Sequence, residues 1–170
     1  TSRINSVAGI SSTAAQTPRA LGIAYASKLY RERSDLAGHA ALFSKGGHEV
    51  CYTTIGDAST SEGMYFECIN AAGVLQVPII FSVWDDGYGI SVPKKYQTTK
   101  GSISAALSGM QKTPGTNGID IYKVKGWDYA GMCEVFEPAL QKMRDTHTPA
   151  LFHVEEITQP QGHSTSGSHE

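Results

Sequence analysis

The chain has 170 residues, of which 40% are apolar and 18% are charged, and its formal net charge is -2. This length and composition predict one α/β domain with a core of its own. The small net charge and the scattered Lys and Arg give no reason to expect nucleic acid or an acidic membrane surface as a partner, and no apolar run is long enough to cross a bilayer. Cys51, Cys68 and Cys133 lack metal-site spacing and indicate small apolar residues in a reducing compartment.

The first predicted elements are a helix, a polar segment and a strand. A helix begins near Pro18, which suits a first helical turn, and continues to about Arg33 with small residues on one face. The glycine-flanked segment 34–47 is predicted to be a surface excursion. A strand follows over residues 50–55.

The central stretch of the chain repeats the order strand, turn, helix and strand. The first strand runs into Gly56-Asp57-Ala58, a helical pattern covers about residues 61–76, and a buried strand over 78–84 ends at Asp85-Asp86. Two parallel strands joined by a helix would bring Asp57 and Asp86 to the same edge of a sheet. That edge is where open α/β sheets bind their ligands.

Two interpretations of these acids remain open at this point. Hard oxygen ligands from two loops suit Mg²⁺ that shares its shell with substrate phosphates, and amides beside Ser59, Thr60 and Ser61 suit phosphate oxygens. Alternatively, Asp57 and Asp86 are solvated loop acids and the glycines serve only the turns.

The last third of the chain predicts a long loop followed by two more strands. The loop spans 93–118 and contains a short helical pattern, with Lys94 and Lys95 either neutralising a diphosphate or lying in solvent. Strands are predicted over 119–124 and 149–157.

Between these two strands lies a helix over 129–145. Asp128 is its predicted N-cap, and Pro138 predicts a kink or a local break. Four strands interleaved with helices predict the fold class: α/β, with a parallel sheet covered by helices on both faces.

Three ordered motifs carry a resemblance to a known family. They are GDASTSEG from Gly56, DDGYGIS from Asp85 and GHSTS at 162–166, and SSTAAQTPRALGIAYA at 11–26 adds to them. GDASTSEG followed by DDGYGIS, whose Asp86 comes 29 residues after Asp57, resembles the thiamine-diphosphate motif of transketolase-type enzymes. More closely, the motifs together resemble the alpha subunit of the dehydrogenase component of 2-oxo acid dehydrogenase complexes, above all the branched-chain (2-oxoisovalerate) type. The likeness extends over nearly the whole chain.

This resemblance implies thiamine diphosphate and Mg²⁺ as cofactors in a thiamine-diphosphate-binding fold. The implied metal ligands are the side chains of Asp57 and Asp86 and the carbonyl of Tyr88. His163 is the implied catalytic residue, in a mobile loop over 159–170 that orders over the cofactor. Ser164 matches a serine that is a regulatory phosphorylation site in mitochondrial members of the family, and no such kinase is expected for a bacterial protein. The implied cofactor-binding residues are Ser11, Thr13, Gly56, Asp57, Ala58, Ser59, Asp86, Tyr88, Gly89, Ile90 and His163.

The resemblance also implies partners and a reaction. The family carries out oxidative decarboxylation of a small 2-oxo acid and transfers the acyl group to a lipoyl acyltransferase component. It works with a beta subunit or a fused beta-type domain, so this chain is expected to be inactive alone. Residues 1–170 are expected to form one diphosphate-binding domain that is a fragment of a longer chain. The expected location is the cytoplasm for a bacterial protein and the mitochondrial matrix for a eukaryotic one.

The sequence departs from the family's pattern in three places. Ala58 replaces a glycine, Asp85-Asp86 replaces an Asn pair, and Trp84 stands where the branched-chain type has an arginine that grips the diphosphate. If a metal bridges the anions, Asp86 strengthens metal binding; otherwise it repels the cofactor. The alternatives are therefore another transketolase-like enzyme, such as an acetoin-type dehydrogenase, or a non-catalytic domain that has lost the cofactor.

Overall fold

The computed structural model of the chain describes residues 6, 7, 9 and 11–158. Short 3-10 turns lie at Ser34–Leu36, Ala58–Ser61, Lys94–Tyr96, Thr99–Gly101 and Ser108–Met110. The helices are α1 (Gln16–Glu32), α2 (Ala37–Phe43), α3 (Gly63–Leu75), α4 (Ile103–Ala106) and α5 (Tyr129–Thr146). The strands are β1 (Cys51–Gly56), β2 (Ile79–Trp84), β3 (Tyr88–Gly89), β4 (Val92–Pro93), β5 (Asp120–Lys125) and β6 (Ala150–Glu155).

Four of these strands form one parallel sheet in the order β1-β2-β6-β5, which confirms the predicted sheet. The register pairs Gly56 with Trp84 and Trp84 with Val154, so the carboxyl ends of three neighbouring strands are level. β3 and β4 form a separate antiparallel hairpin directly after β2. The loops after β1 and β2 therefore leave the sheet side by side.

Helices cover both faces of the sheet, as predicted. On one face α1, α3 and α4 enclose the larger core, in which Tyr65, Ile69 and Phe81 are fully buried. On the other face α5 packs on β6 and β5. There Phe152 is stacked between Tyr122 and Phe136, with ring centroids 4.8 and 3.8 Å away.

A side-chain cap marks the start of α5. The Asp128 side chain accepts a hydrogen bond from the Gly131 amide at 2.9 Å, which confirms the predicted N-cap of α5. The predicted local break at Pro138 is wrong, because α5 continues through this exposed residue to Thr146.

The segment 34–47 is more ordered than a surface excursion. It forms a 3-10 turn and α2, whose Ala40 is buried. The Gly47 carbonyl at its end is 2.8 Å from Nε2 of the buried His147, which ties the segment to the end of α5. In the part of the chain from 11 to 158, no helix is both long and apolar enough to cross a membrane.

Candidate metal and diphosphate site

The carboxyl edge of the sheet brings the two acids of the central stretch together. The Asp57 amide donates to the Trp84 carbonyl at 3.1 Å, and the Asp85 amide donates to the Val154 carbonyl at 2.9 Å. The hydrogen bonding of the sheet thus continues one residue beyond β1 and β2, and it fixes the first residue of the loop after each strand. Asp57 and Asp86 consequently lie on the same edge, where the charges of Asp85 and Asp86 act on Asp57.

Asp57 is a carboxylate without the partners that burial demands. It is 5% exposed, and its Oδ2 atom has no hydrogen-bond partner. Burial, followed by the negative charges of Asp85 and Asp86, raises the pKa of Asp57 from 3.8 to about 6. A buried carboxylate with a free oxygen beside two other acids has the chemistry of a cation ligand.

The loops after β1 and β2 are in direct contact at Gly89. A Cβ atom at this position would lie 2.6 Å from the Ala58 Cβ and 2.5 Å from the side-chain amide of Gln97. Ile90, next to it, has φ of +59°, a left-handed conformation that β-branched residues rarely adopt. The two loops that carry the cofactor motifs therefore pack against each other at Gly89, and Gln97 is a contact residue there that the sequence interpretation missed.

The two adjacent acids of the second loop have different environments. Asp85 is 2% exposed; its Oδ1 accepts from the Gly87 amide, and its Oδ2 accepts from Lys94 Nζ at 2.7 Å and from His153 Nε2 at 2.8 Å. Burial alone would raise the pKa of Asp85, but hydrogen bonds from His153 and Lys94 lower it to about 2. Asp86 is half-buried, and one oxygen accepts from the Tyr88 amide at 3.0 Å while the other has no hydrogen bond. Asp86 is thus the acid with an oxygen free for a metal.

A buried polar chain continues from Asp85 into the protein. His153 has no exposed surface, and its Nδ1 is 2.9 Å from Ser104 Oγ, which is 3.1 Å from Ser102 Oγ. The order acid, histidine, serine is that of a hydrolase triad. Here Ser104 and His153 are both buried, so these hydrogen bonds serve to fix β6 to the loop after β2. A histidine in the apolar strand ALFHVE was the available signal, because a buried imidazole needs partners for both nitrogens.

The remaining predicted residues divide into those at this edge and those apart from it. The Gln16 side chain donates to the Thr54 carbonyl at 2.8 Å, which brings the start of α1 to the carboxyl end of β1. Ser11 and Thr13 are exposed and have no hydrogen bond to either loop. Ser59 is half-buried in the turn after Asp57. The predictions for His163, Ser164 and the loop 159–170 lie outside the described residues.

The residues present fit an octahedral ion that shares its shell with a diphosphate. Between residues 11 and 158, no three His, Cys, Asp or Glu side chains are arranged to hold a metal by themselves. Asp57 and Asp86 supply two carboxylates, one with a free buried oxygen, and Mg²⁺ usually takes few protein ligands and completes its shell with phosphate and water. The site therefore suits a metal that arrives with its anion.

Trp84 points away from this surface. It is 51% exposed, its indole N–H donates to Ser82 Oγ at 3.1 Å, and it lines a groove of about 470 Å³ on the α5 face with Tyr52, Trp127 and Phe136. The residue that replaces the family's arginine therefore contributes an aromatic wall to that groove.

The fold and the acidic edge define a class of protein. The structure is similar to that of transketolase from Campylobacter jejuni, with a TM-score of 0.56 and 20% sequence identity, over 81% of this chain and 19% of that one. The fold is therefore the transketolase-like α/β fold with a parallel sheet, as the motifs imply.

The family follows from the sequence comparison. The model described as "Dehydrogenase E1 component" matches residues 1–168, and the chain belongs to this thiamine-diphosphate-dependent family. The pyruvate dehydrogenase E1 component alpha subunits of Porphyra purpurea and Rickettsia bellii are 28% and 22% identical over 94% and 89% of the chain. The alpha subunit of an acetoin oxidoreductase from Cupriavidus necator is 30% identical over 66% of it.

These matches confirm the alpha-type E1 family and do not single out the branched-chain type. The chain spans 42%, 40% and 32% of the length of these three relatives.

Proposed function

We propose that this chain supplies the Mg²⁺-diphosphate half of a thiamine diphosphate site in a 2-oxo acid dehydrogenase. The proposed overall reaction is oxidative decarboxylation of a small 2-oxo acid with transfer of the acyl group to a lipoyl group. Membership of the E1 family supports the reaction class. The resemblance of the motifs as a set to the branched-chain type is the reason to test branched 2-oxo acids first.

The observation that carries this proposal is the unpartnered Oδ2 of Asp57. A buried carboxylate oxygen without a hydrogen bond is costly unless a cation binds it. Its raised pKa reports the same absence of a counter-charge. A divalent ion between Asp57 and Asp86 would remove the repulsion between the two acids and create an anion site at the edge.

The roles of the chain's residues follow from their positions. Asp57 and Asp86 would bind the metal through their free oxygens, and Tyr88 would add its carbonyl oxygen as the third protein ligand. Gly89, packed against Ala58, would keep the two loops at a fixed separation so that the diphosphate is held rigidly.

Bound thiamine diphosphate supplies the carbanion and the electron sink that decarboxylation requires. The chain's contribution is to bind and orient this cofactor. His163, in the segment after β6, is proposed to contact the diphosphate near the reactive ring. For a mitochondrial protein, Ser164 is proposed as a phosphorylation site whose added charge would repel an anionic cofactor. The proposed partners are a beta subunit or fused beta-type domain and a lipoyl acyltransferase.

Calorimetric titration of the full-length protein with thiamine diphosphate, with and without Mg²⁺, tests the proposal. We expect binding that depends on Mg²⁺. Asp57→Ala should abolish it, whereas Asp86→Asn should still bind because an amide oxygen can replace the carboxylate oxygen. Equal heats with and without Mg²⁺, or normal binding by Asp57→Ala, would show that the acids are not metal ligands.

An acetoin-type activity is the second candidate. The 30% identical relative from Cupriavidus necator is named as an acetoin oxidoreductase subunit, and its match includes two thirds of the chain. The same cofactor site serves both activities, so only the substrate distinguishes them. Reduction of a dye with acetoin, compared with 2-oxoisovalerate and pyruvate as substrates of the assembled protein, assigns the class.

A further inference from the structure

The acid pair after β2 is accompanied by a lysine that neutralises its inner member. Lys94 Nζ lies 2.7 Å from Asp85 Oδ2, and His153 Nε2 lies 2.8 Å from the same oxygen on the buried side. With the Gly87 amide on Oδ1, both oxygens of the Asp85 carboxylate accept hydrogen bonds. Asp85 is therefore unavailable to a metal, although it is adjacent in sequence to the proposed ligand Asp86.

The backbone of Lys94 is also fixed by hydrogen bonds. The Lys94 amide donates to the Gly87 carbonyl at 2.8 Å, and the Lys94 carbonyl accepts from the amides of Gln97 and Thr98 at 2.9 and 2.8 Å. The lysine is thus fixed at the end of the β3–β4 hairpin, directly opposite the loop that carries Asp85 and Asp86. Its side chain is 34% exposed, so its charge is only partly screened by water.

The other charges at this edge determine how the ion pair between Lys94 and Asp85 affects anion binding. Asp57, Asp85 and Asp86 are three acids on one rim, and Asp85 and Asp86 act electrostatically on Asp57. Without Lys94, the buried charge of Asp85 would have lost its lysine partner and would add to the charges of Asp57 and Asp86 at this edge. With Lys94 bound to Asp85, the rim carries the charge of two acids, the number that a single divalent ion balances.

We propose that Lys94 is a positioning residue that neutralises Asp85 and so allows this chain to keep an acidic pair beside a diphosphate site. This inference rests on the proposed function. Asp85, locked by Lys94 and His153, anchors the loop; Asp57 and Asp86 bind the metal. Lys94 thereby sets the balance between attraction of the cation and repulsion of the anion.

The charge assignment predicts opposite effects on two ligands. Lys94→Met leaves Asp85 without its partner and makes the rim more negative, so free Mg²⁺ should bind about three- to tenfold more tightly and inorganic diphosphate about three- to tenfold more weakly. Asp85→Asn leaves Lys94 without its acid, and it should shift both affinities in the reverse directions. The double variant carries two acids and no lysine, the same net charge as the wild type, and should restore both affinities.

The experiment is calorimetry on the full-length protein with Mg²⁺ alone, inorganic diphosphate alone, and Mg²⁺ with thiamine diphosphate. Lys95→Met is the matched control, because this exposed neighbour carries the same charge and its Nζ lies over the Tyr96 ring at 4.8 Å. Thermal unfolding of each variant shows that it is folded. Loss of structure alone would weaken both ligands together and would not be reversed in the double variant.

The outcomes separate this inference from the proposed function. Opposite shifts for Lys94→Met that the double variant reverses support Lys94 as the compensating residue. If the wild type binds Mg²⁺ with thiamine diphosphate while Lys94→Met and Lys95→Met behave alike, the inference is wrong and the proposed function stands. If the wild type does not bind Mg²⁺ with thiamine diphosphate, both fail.

Discussion

Asp57 combines burial, a free oxygen and a pKa raised to about 6, and these properties make its charge a cost to the metal-free protein. A raised pKa means that the folded state favours the protonated acid. The corresponding stability is fully present below the ordinary pKa near 3.8 and is lost as the pH rises through about 6. Because of this one group, the folded state of the metal-free protein should be less stable at neutral pH than at mildly acidic pH.

Asp57→Asn should remove that dependence. Without metal at pH 7, we expect this variant to be more stable than the wild type by about 1–3 kcal/mol, and we expect the difference to vanish near pH 4. Urea unfolding at both pH values measures it. Added Mg²⁺ with thiamine diphosphate should stabilise the wild type more than the variant, because the amide oxygen of Asn carries no charge for the cation. Equal stabilities of the two metal-free proteins at pH 7 would show that the ionised Asp57 carboxylate does not destabilise the fold.

Asp85 shows what residue-level interpretation of the sequence could not supply. The motif comparison identifies a substitution of an Asn pair by two acids, and it treats the second acid as the one that decides cofactor binding. The structure shows that the first acid is the buried one, with its charge balanced by Lys94 and His153. These partners lie 9 and 68 positions away in sequence, so no local pattern could pair them with Asp85.

At the scale of elements, the site is a contact between two loops that parallel strands align. The register of Gly56 with Trp84 sets the relative height of the loops, and the packing of Gly89 against Ala58 and Gln97 sets their separation. The order of the strands along the chain and the helical pattern between them are visible in the sequence. The closeness of Gly89 to Ala58 is a tertiary contact, and only the structure reveals it.

Gly89→Ala should therefore damage the site more than the fold. The new methyl group would meet the Ala58 side chain and the Gln97 amide, and it would push the loops apart, so we expect affinity for Mg²⁺ with thiamine diphosphate to fall at least about tenfold. Gly109→Ala is the control, because no atom lies within 4 Å of a Cβ at that position. Calorimetry and thermal unfolding measure both effects; unchanged affinity in Gly89→Ala would show that loop separation is not critical.

At the scale of the whole molecule, the proposed function gives this chain one side of a cofactor site. Its described residues include two acids that are proposed to bind a metal, on two loops that are in contact. The chain spans less than half the length of the relatives it matches. The proposed reaction also needs an acid to protonate the cofactor's aminopyrimidine ring, which is expected from the beta part. Binding and turnover should therefore be separable properties.

We expect a preparation with the beta-type domain removed or absent to show no decarboxylation of any 2-oxo acid, and activity to appear when the beta part is present. Dye reduction or CO₂ release measures this, with Asp57→Ala in the complete assembly as the inactive control. Decarboxylation by the alpha part alone would show that the chain carries its own acid. Co-purification with a lipoyl acyltransferase is the corresponding test of the acceptor.

The sequence by itself determined the order of strands and helices, the parallel sheet and the E1 family, because these depend on periodicity and on motifs that are continuous along the chain. It also located the two metal-ligand candidates, since parallel strands joined by a helix always end at the same edge. Only the tertiary structure decided which of the adjacent acids is free, which lysine is bound, and that His153 joins β6 to the site. These features depend on side chains that burial brings together from distant parts of the chain, and burial obliges each of them to find a partner there.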